Sequence, residues 1–384
     1  MKPTSSLATL FLLAVSTSAT PAFEKRAQCQ ASLDVATAVA ARLQSRYYNP
    51  PNGDYSGVRW TDANNIENVH NLMLATGSDQ WSTLGDDSYI GRLALLQHNA
   101  GINQWASYVD GSWDDSLWIV LALWKIADYK AARGRDNAAF IESGMTLYNM
   151  VQASWDNTCG GGVWWSSANG YKNSITNELF LLVSAVGAIN FPGNSAFLTN
   201  ALNARNWIKN SGLRNAQGLF NDGLNSECGN NGGTVWIYNQ GVIAAGLGAL
   251  YATTRDESLI VDAEITLDAA IATLTSGGIL KEICDDAASS RCNDDQHAFK
   301  GIFMRMLQYY LDRVNDPART AKYSGFIHAQ ASGVYHYGTN GENDIGSVWY
   351  APSAGGSIFS STSSGSGLAA HVVNAKYGPC DAPL

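Results

Sequence analysis

Residues 113–130 read WDDSLWIVLALWKIADYK, and this stretch decides the fold because an acidic pair opens a long helical pattern. Apolar side chains recur at helical spacing through positions 117–127. Asp114 and Asp115 therefore fall at a helix N-terminus. Asp caps helices well and is stabilised there by the helix dipole, by about 1 kcal/mol, so a purely structural role accounts for their position. The flanking Trp113 and Trp118 favour a functional role, because carbohydrate sites combine aromatic faces with paired carboxylates.

The rest of the chain is also predicted to be helical. With residues 114–131 the periodicity gives about twelve helices, and no alternation of strands and helices interrupts them. The other eleven patterns cover residues 34–48, 61–77, 87–99, 135–153, 174–189, 194–211, 234–254, 257–275, 294–313, 317–332 and 363–375. Short loops join antiparallel helices, and every second loop is long. We therefore predict a single all-α domain, an (α/α)6 barrel whose long loops form a cleft on one rim.

One predicted helix, within residues 234–254, carries glycines at positions 241, 246 and 248. Each glycine costs about 1 kcal/mol relative to alanine in an exposed helix. We expect that the glycines allow this helix to pack closely against its neighbours.

Polar clusters beside aromatic residues mark the starts of four predicted helices. They read WDDSLW (113–118), YKNSITNELF (171–180), VWIYNQG (235–241) and HAFKGIF (297–303). Buried polar groups are costly unless they are paired, so such clusters need a reason. Helix capping is one reason for Asn173, and a cleft that binds sugar hydroxyls is another. Lys300 would need an acidic partner, which we expect at the cleft.

The N-terminal residues 1–26 have the pattern of a secretory signal followed by a dibasic cleavage site at Lys25 and Arg26. We therefore expect a catalytic domain at residues 27–384 and a secreted, extracellular product. The C-terminus lacks the hydrophobic tail of a GPI signal, so we expect no membrane anchor. Removal of the leader changes the net charge from -9 to -11, and so acidic a chain disfavours nucleic acid as a partner.

Six cysteines in a secreted chain predict three disulfides, with 15 possible pairings. We favour Cys284–Cys292, which closes a short polar loop, and leave the other pairs open, with Cys29–Cys380 and Cys159–Cys228 as one assignment. No spacing typical of zinc ligands accompanies the cysteines. The acidic loop 285–295 could bind Ca²⁺, but we favour a solvated loop closed by a disulfide. We therefore expect no metal ion or cofactor.

Five motifs, taken in order, resemble glycoside hydrolase family 76, the endo-α-1,6-mannanases, and in particular its secreted fungal members. They are WDDSLW, GGVWWSSANGYKNSITNELFL, DGL followed by a Cys, VWIYNQGV, and LKEICDDAASSRCNDDQHAFKGIFMR. The resemblance runs from about residue 30 to residue 375. It implies an (α/α)6 barrel and retaining hydrolysis of α-1,6-linked mannan by a monomer.

The resemblance also implies residue roles. Asp114 would be the nucleophile and Asp115 the general acid/base. The residues that it places in the substrate cleft are Trp60, Asn64, Asn173, Asp222, Tyr238, Asn239 and Lys300. We expect Trp113, which flanks the acidic pair, to bind substrate as well. Neighbouring side chains on a regular helix diverge by roughly 100°, so we expect Asp114 to lie in the non-helical cap, where both carboxylates can face one cleft.

Three other hypotheses are compatible with parts of the sequence. A transglycosylase acting on cell-wall or GPI-linked mannan would use the same Asp pair. A catalytically inactive mannan-binding protein would not need the pair. An all-α terpene cyclase would also carry a DD motif, but it would need DDxxD where this chain has DDSLW, and a second acidic motif that is missing here.

Overall fold

The computed structural model describes residues 28–384, so the predicted signal and the dibasic site lie outside the described residues. This part of the chain forms fourteen α-helices. Their bounds are α1 Gln30–Tyr47, α2 Arg59–Thr76, α3 Leu84–Asp87, α4 Tyr89–Ala100, α5 Trp105–Val109, α6 Trp113–Ala132, α7 Ala138–Gln152, α8 Ser174–Asn190, α9 Ser195–Asn210, α10 Ile237–Thr254, α11 Ser258–Thr273, α12 Phe299–Val314, α13 Pro317–Gly333 and α14 Ser361–Tyr377.

Six helices form a closed inner ring. The packing order is α2, α6, α8, α10, α12 and α14, and α14 packs back on α2. Outer helices pack against this ring: α7 on α6, α9 on α8, α11 on α10, α13 on α12 and α14, and α1 on α14 and α2. Helix α4 packs against α7. This double ring is an (α/α)6 barrel, which confirms the predicted fold.

All twelve predicted helices are present, and the differences are short elements. Helices α3 and α5 are only 4 and 5 residues long, too short for a periodic pattern to reveal them. A two-stranded antiparallel hairpin, β1 Thr275–Ser276 with β2 Ile279–Leu280, follows α11. Strands of two residues leave no alternation to detect.

Most residues of the inner helices are buried, and several of their polar residues pair with one another. Arg305 of α12 is fully buried and lies 3.2 Å from the Glu67 carboxylate of α2. It also donates to the side chains of Asn64 and Asn68. These contacts tie two neighbouring inner helices together, and they account for polar residues that amphipathic helices would place in solvent.

The glycines of α10 confirm the predicted close packing. A Cβ at Gly241 would lie 2.8 Å from the Cα of Phe303, and one at Gly248 would lie 2.9 Å from the Tyr310 ring. At Gly246 the nearest atom would belong to Leu181 of α8. Helix α10 therefore packs between α8 and α12 at a distance that a larger side chain would prevent.

Three disulfides are present among the described residues, and all three expected pairs are confirmed: Cys29–Cys380, Cys159–Cys228 and Cys284–Cys292. The first joins residues 351 positions apart and fixes the two ends of the described chain side by side. No helix within residues 28–384 is both long and apolar enough to cross a membrane.

Candidate active site

A cleft of about 470 Å³ opens where five inner helices begin. Its lining comes from residues at or near the N-termini of α2, α6, α8, α10 and α12 and from the loops between them. The lining residues are Trp60, Ser112, Asp114, Asp115, Trp118, Trp165, Tyr171, Asn173, Ile175, Asp222, Tyr238, Asp295 and Phe299. Helix N-termini carry partial positive charge, so this rim is suited to hold carboxylates.

Asp114 is held by three hydrogen bonds. Its Oδ1 accepts from the Ser112 hydroxyl and from the Asp115 backbone N–H, each at 3.0 Å. Its Oδ2 accepts from the indole N–H of Trp165 at 3.0 Å. Burial raises the pKa of Asp114, and the hydrogen bonds from Ser112 and Trp165 oppose the rise because they stabilise the charged form. The carboxylate is thereby oriented with both oxygens engaged.

Asp115 has a different environment. Burial raises the pKa of its carboxyl to about 7, and the charge of Asp114 adds to the rise. Arg59 and the Ser112 hydroxyl act in the opposite direction without offsetting it. The three donors to Asp114 stabilise its charged form, so they favour Asp115 as the holder of a proton shared by the pair.

The expectation that Asp114 lies in a non-helical cap is wrong. The helix begins at Trp113, its N-cap is Ser112, and both aspartates lie in the first turn. Both still line the same cleft. Side chains in a helix tilt toward its N-terminus, so neighbouring residues of the first turn can both reach the space beyond the helix end.

Aromatic rings form one wall of the cleft. Trp60 lies 6.1 Å from Trp118 and 6.4 Å from Phe299, measured between ring centroids. Tyr238 stacks on Phe299 at 3.9 Å with nearly parallel planes. Trp165 is 47% exposed, the most open of these rings. Such flat apolar surfaces match the C–H faces of sugar rings.

Other residues of the cleft lining are polar. The side chain of Asn173 caps α8 by accepting from the Thr176 N–H at 3.3 Å, so the capping role considered from the sequence is present at a residue that also lines the cleft. Tyr171 donates its hydroxyl hydrogen to Asp222. The ring of Tyr171 fits only because residue 223 is glycine, whose Cβ would lie 2.3 Å from the tyrosine oxygen.

Asp295 is a cleft residue that the sequence did not reveal. It accepts a hydrogen bond from the Trp60 indole N–H at 3.1 Å. Burial raises its pKa, and this hydrogen bond opposes the rise. It follows a disulfide-closed loop that resembled a solvated acidic surface, so only the folded chain shows that it reaches the cleft. Ser112, Trp165, Tyr171, Ile175 and Phe299 were also missed, although motifs singled out in the sequence contain or adjoin each of them.

Four of the expected substrate-binding residues line the cleft, and four do not. Trp60, Asn173, Asp222 and Tyr238 are in the lining, whereas Asn64, Trp113, Asn239 and Lys300 are not. Asn64 is buried against Arg305 and donates to the Trp60 carbonyl at 2.8 Å. Lys300 does pair with an acid, but that acid is the buried Asp285, and the lysine also donates to the Ser347 carbonyl.

The two remaining residues, Asn239 and Trp113, are also absent from the cleft lining. Asn239 of α10 is fully buried, and its amide has no hydrogen-bond partner within residues 28–384. The preceding residue, Tyr238, lines the cleft. Successive side chains on a helix are rotated by about 100°, so Asn239 lies on a different face of α10. The backbone N–H of Trp113 donates to the carbonyl of Trp165, a cleft residue, at 3.0 Å.

A buried lysine fixes the segment that carries Trp165 and Tyr171. The ammonium group of Lys172 donates to the Asp156 carboxylate at 2.6 Å and to the carbonyls of Thr158, Gly161 and Gly162 at 2.7 to 3.1 Å. Lys172 is only 2% exposed. One charge therefore holds together a loop whose regular structure is limited to the 3₁₀ turn Thr158–Gly160.

We expect Lys172→Met to lower the free energy of unfolding by about 3 kcal/mol, because it leaves a carboxylate and three carbonyls without their common donor. Urea denaturation followed by circular dichroism measures the change. Lys209→Met is the matched control, since Lys209 is exposed on α9. Equal denaturation midpoints for the two variants would show that the lysine does not hold the loop.

Comparison with known proteins places this arrangement in context. The family model of glycosyl hydrolase family 76 matches residues 32–378. The mannan endo-1,6-alpha-mannosidase DCW1 of Candida albicans is 29% identical over 250 residues, 62% of this chain and 52% of that protein. DFG5 of Saccharomyces cerevisiae, which bears the same enzyme name, is 27% identical over 52% of this chain and 45% of its own length. The matched segments thus span about half of these two relatives.

Solved structures share the fold. An inactive variant of the GH76A alpha-1,6-mannanase from Salegentibacter sp. HEL1_6, with two consecutive aspartates replaced by asparagine, was solved with alpha-1,6-mannotriose. It has a TM-score of 0.74 at 18% identity, covering 90% of this chain and 99% of that one. Dfg5 from Chaetomium thermophilum, in complex with glucosamine, also has a TM-score of 0.74, at 17% identity and covering 90% of each chain.

Proposed function

This chain belongs to glycosyl hydrolase family 76, and from that premise we propose that it is a retaining, endo-acting hydrolase of α-1,6-mannosidic linkages in mannan. The observation that carries the proposal is the Asp114–Asp115 pair, two neighbouring carboxylates in one cleft with unlike surroundings. Relatives of the chain bear the name of this activity.

In the proposed mechanism Asp114 attacks the anomeric carbon while Asp115 protonates the departing glycosidic oxygen. The glycosidic bond breaks as an ester bond to Asp114 forms. Asp115, now ionised, then takes a proton from water, whose oxygen attacks the same carbon and releases Asp114. Two inversions leave the anomeric configuration unchanged.

The surroundings of each aspartate support its role. Three donors orient Asp114 and favour its charged form, as a nucleophile requires. The raised pKa of Asp115 keeps a proton available at neutral pH. Trp60 and Trp165 offer ring faces to the sugar, while Asn173 and Asp222 offer polar groups to its hydroxyls.

The test is a product assay on unbranched α-1,6-mannan, with β-1,4-mannan as the control substrate. We expect a rapid fall in polymer length and release of α-1,6-mannooligosaccharides, because an endo-acting enzyme cuts inside the chain. Release of mannose alone, or a rate equal to that in buffer, would contradict the proposal. Products longer than an added oligomannoside acceptor would show that a transglycosylase uses the same pair.

We propose further that the protein acts outside the cell, as a monomer, through one catalytic domain at residues 27–384. Three disulfides support an oxidising compartment, since they are rare in the cytosol. The double ring of inner and outer helices supports a single domain, because helices from α1 to α14 take part in it.

A further inference from the structure

A second groove, of about 510 Å³, lies on the outer face of the barrel. One side is the loop that follows α7, with Trp155, Cys159 and Gly160, and the other is the second half of α9. None of its lining residues lines the cleft of Asp114 and Asp115. We propose that this groove is a second carbohydrate-binding site, which holds a mannan chain outside the catalytic cleft. The proposal rests on the proposed function.

Asparagines form the polar side of the groove. Asn203, Asn206 and Asn210 lie at i, i+3 and i+7 on α9, so they share one helix face, and all three are exposed. The side chains of Asn203 and Asn210 make no hydrogen bond to another part of residues 28–384. Asparagine is a weak helix former, so three on one exposed face are costly without a use. Each amide offers two donors and an acceptor, which suits neighbouring sugar hydroxyls.

Two indoles form the apolar side. Trp155 is partly exposed and Trp207 is 6% exposed, and both line the groove between the loop and the helix. Apolar ring surface beside amides is the combination that binds pyranose rings, whose C–H faces and hydroxyls need different partners. No charged residue lines the groove, which suits a neutral ligand such as mannan.

The groove is held rigid before any ligand binds. The indole N–H of Trp207 donates to the Cys159 carbonyl at 3.0 Å, and the disulfide to Cys228 fixes the same residue. The adjoining Gly161 and Gly162 have φ of +136° and +91°, and a Cβ on either would lie within 2.9 Å of an indole ring. A preformed site loses little conformational entropy on binding, which helps a shallow groove to bind a flexible chain.

The lining contains no carboxylic acid, so the groove binds sugar without cleaving it. The loop from Trp155 to Tyr171 contributes residues to both grooves, which places binding and catalysis at the two ends of one segment. A polymer that occupies both sites binds more tightly than one that occupies the cleft alone, because the second contact is intramolecular. A trisaccharide is too short to gain this advantage.

The test compares two double variants of the full-length protein. N203A/N210A removes the two free amides of the groove, and alanine favours the helix, so the fold is preserved. N99A/N149A is the matched control, with two exposed asparagines on α4 and α7. Affinity electrophoresis in gels containing unbranched α-1,6-mannan measures polymer binding, and kcat/KM on α-1,6-mannotriose measures the cleft.

We expect N203A/N210A to weaken mannan binding at least fivefold relative to the control, with kcat/KM on mannotriose unchanged in both variants. Mannan binding within twofold of the control would overturn the second site. An equal loss on polymer and trisaccharide would overturn it too, because the effect would then arise in the cleft. Failure of the wild type to cleave mannotriose while the binding difference persists would instead refute the proposed function.

Discussion

Asp114→Asn is expected to lower kcat on α-1,6-mannooligosaccharides by at least about 10⁴-fold, the scale of loss when a nucleophile is removed. Asparagine has nearly the same shape as aspartate, but its neutral amide cannot form the ester bond to the anomeric carbon. The Trp165 indole and the Ser112 hydroxyl donate to this carboxylate, so the variant also loses the charge that they stabilise. Product release measured by mass spectrometry reports the rate.

Asp110→Asn is the matched control for this prediction. Asp110 is exposed in the turn just before α6 and has φ of 51°, a conformation that asparagine accepts readily. It removes the same charge from the same part of the chain without touching the cleft. We expect activity within twofold of the wild type. If Asp114→Asn stayed within tenfold of this control while folded, Asp114 would not be the nucleophile.

Asp115→Asn is expected to lower kcat on sugar substrates by about 10²- to 10⁴-fold, the usual contribution of general acid–base catalysis. The size of the loss in this variant should depend on the leaving group of the substrate. An aryl α-1,6-mannobioside with an acidic phenol needs no proton to leave, so the first step should keep its rate and appear as a burst of phenol. Turnover stays slow, because no base then activates water. Asp114→Asn should give no burst.

The pH dependence tests the same assignment. The raised pKa of Asp115, about 7, means that its proton is present below this pH and lost above it. Because the first step uses the protonated form, kcat/KM of the wild type should fall as the pH rises through about 7. For Asp115→Asn with the aryl substrate, the burst rate should show no such fall. A wild-type profile that stays flat to pH 9 would contradict the assignment.

The parts of the site that the sequence predicted are those that depend on local order. Asp114 and Asp115 open a long periodic helix, so their place at a helix N-terminus follows from neighbouring residues alone. Asn173 is similar, because capping depends on the next three residues. The count of long helices is predictable for the same reason, and it gave the barrel before any contact was known.

The other parts of the site depend on contacts between residues that are far apart in the sequence. Asp295 reaches the cleft because Trp60, 235 positions away, donates to it. The family resemblance placed Lys300 and Asn64 in the substrate cleft. In the structure both residues pair within the protein: Lys300 with Asp285, and Asn64 with Arg305. A buried polar residue in an inner helix therefore indicates a need for a partner, and it leaves open whether that partner is substrate or protein.

The most direct measurement of the central claim is mass spectrometry of a trapped covalent intermediate. A fluoride leaving group with a second fluorine at C5 of the reacting ring lets an α-1,6-mannobiosyl donor form the ester but slows its hydrolysis. After proteolysis, we expect the added sugar mass on a peptide containing residues 113–118, with fragmentation assigning it to Asp114. A sugar attached to Asp115, Asp222 or Asp295, or no adduct while the fluoride is being turned over, would contradict the account.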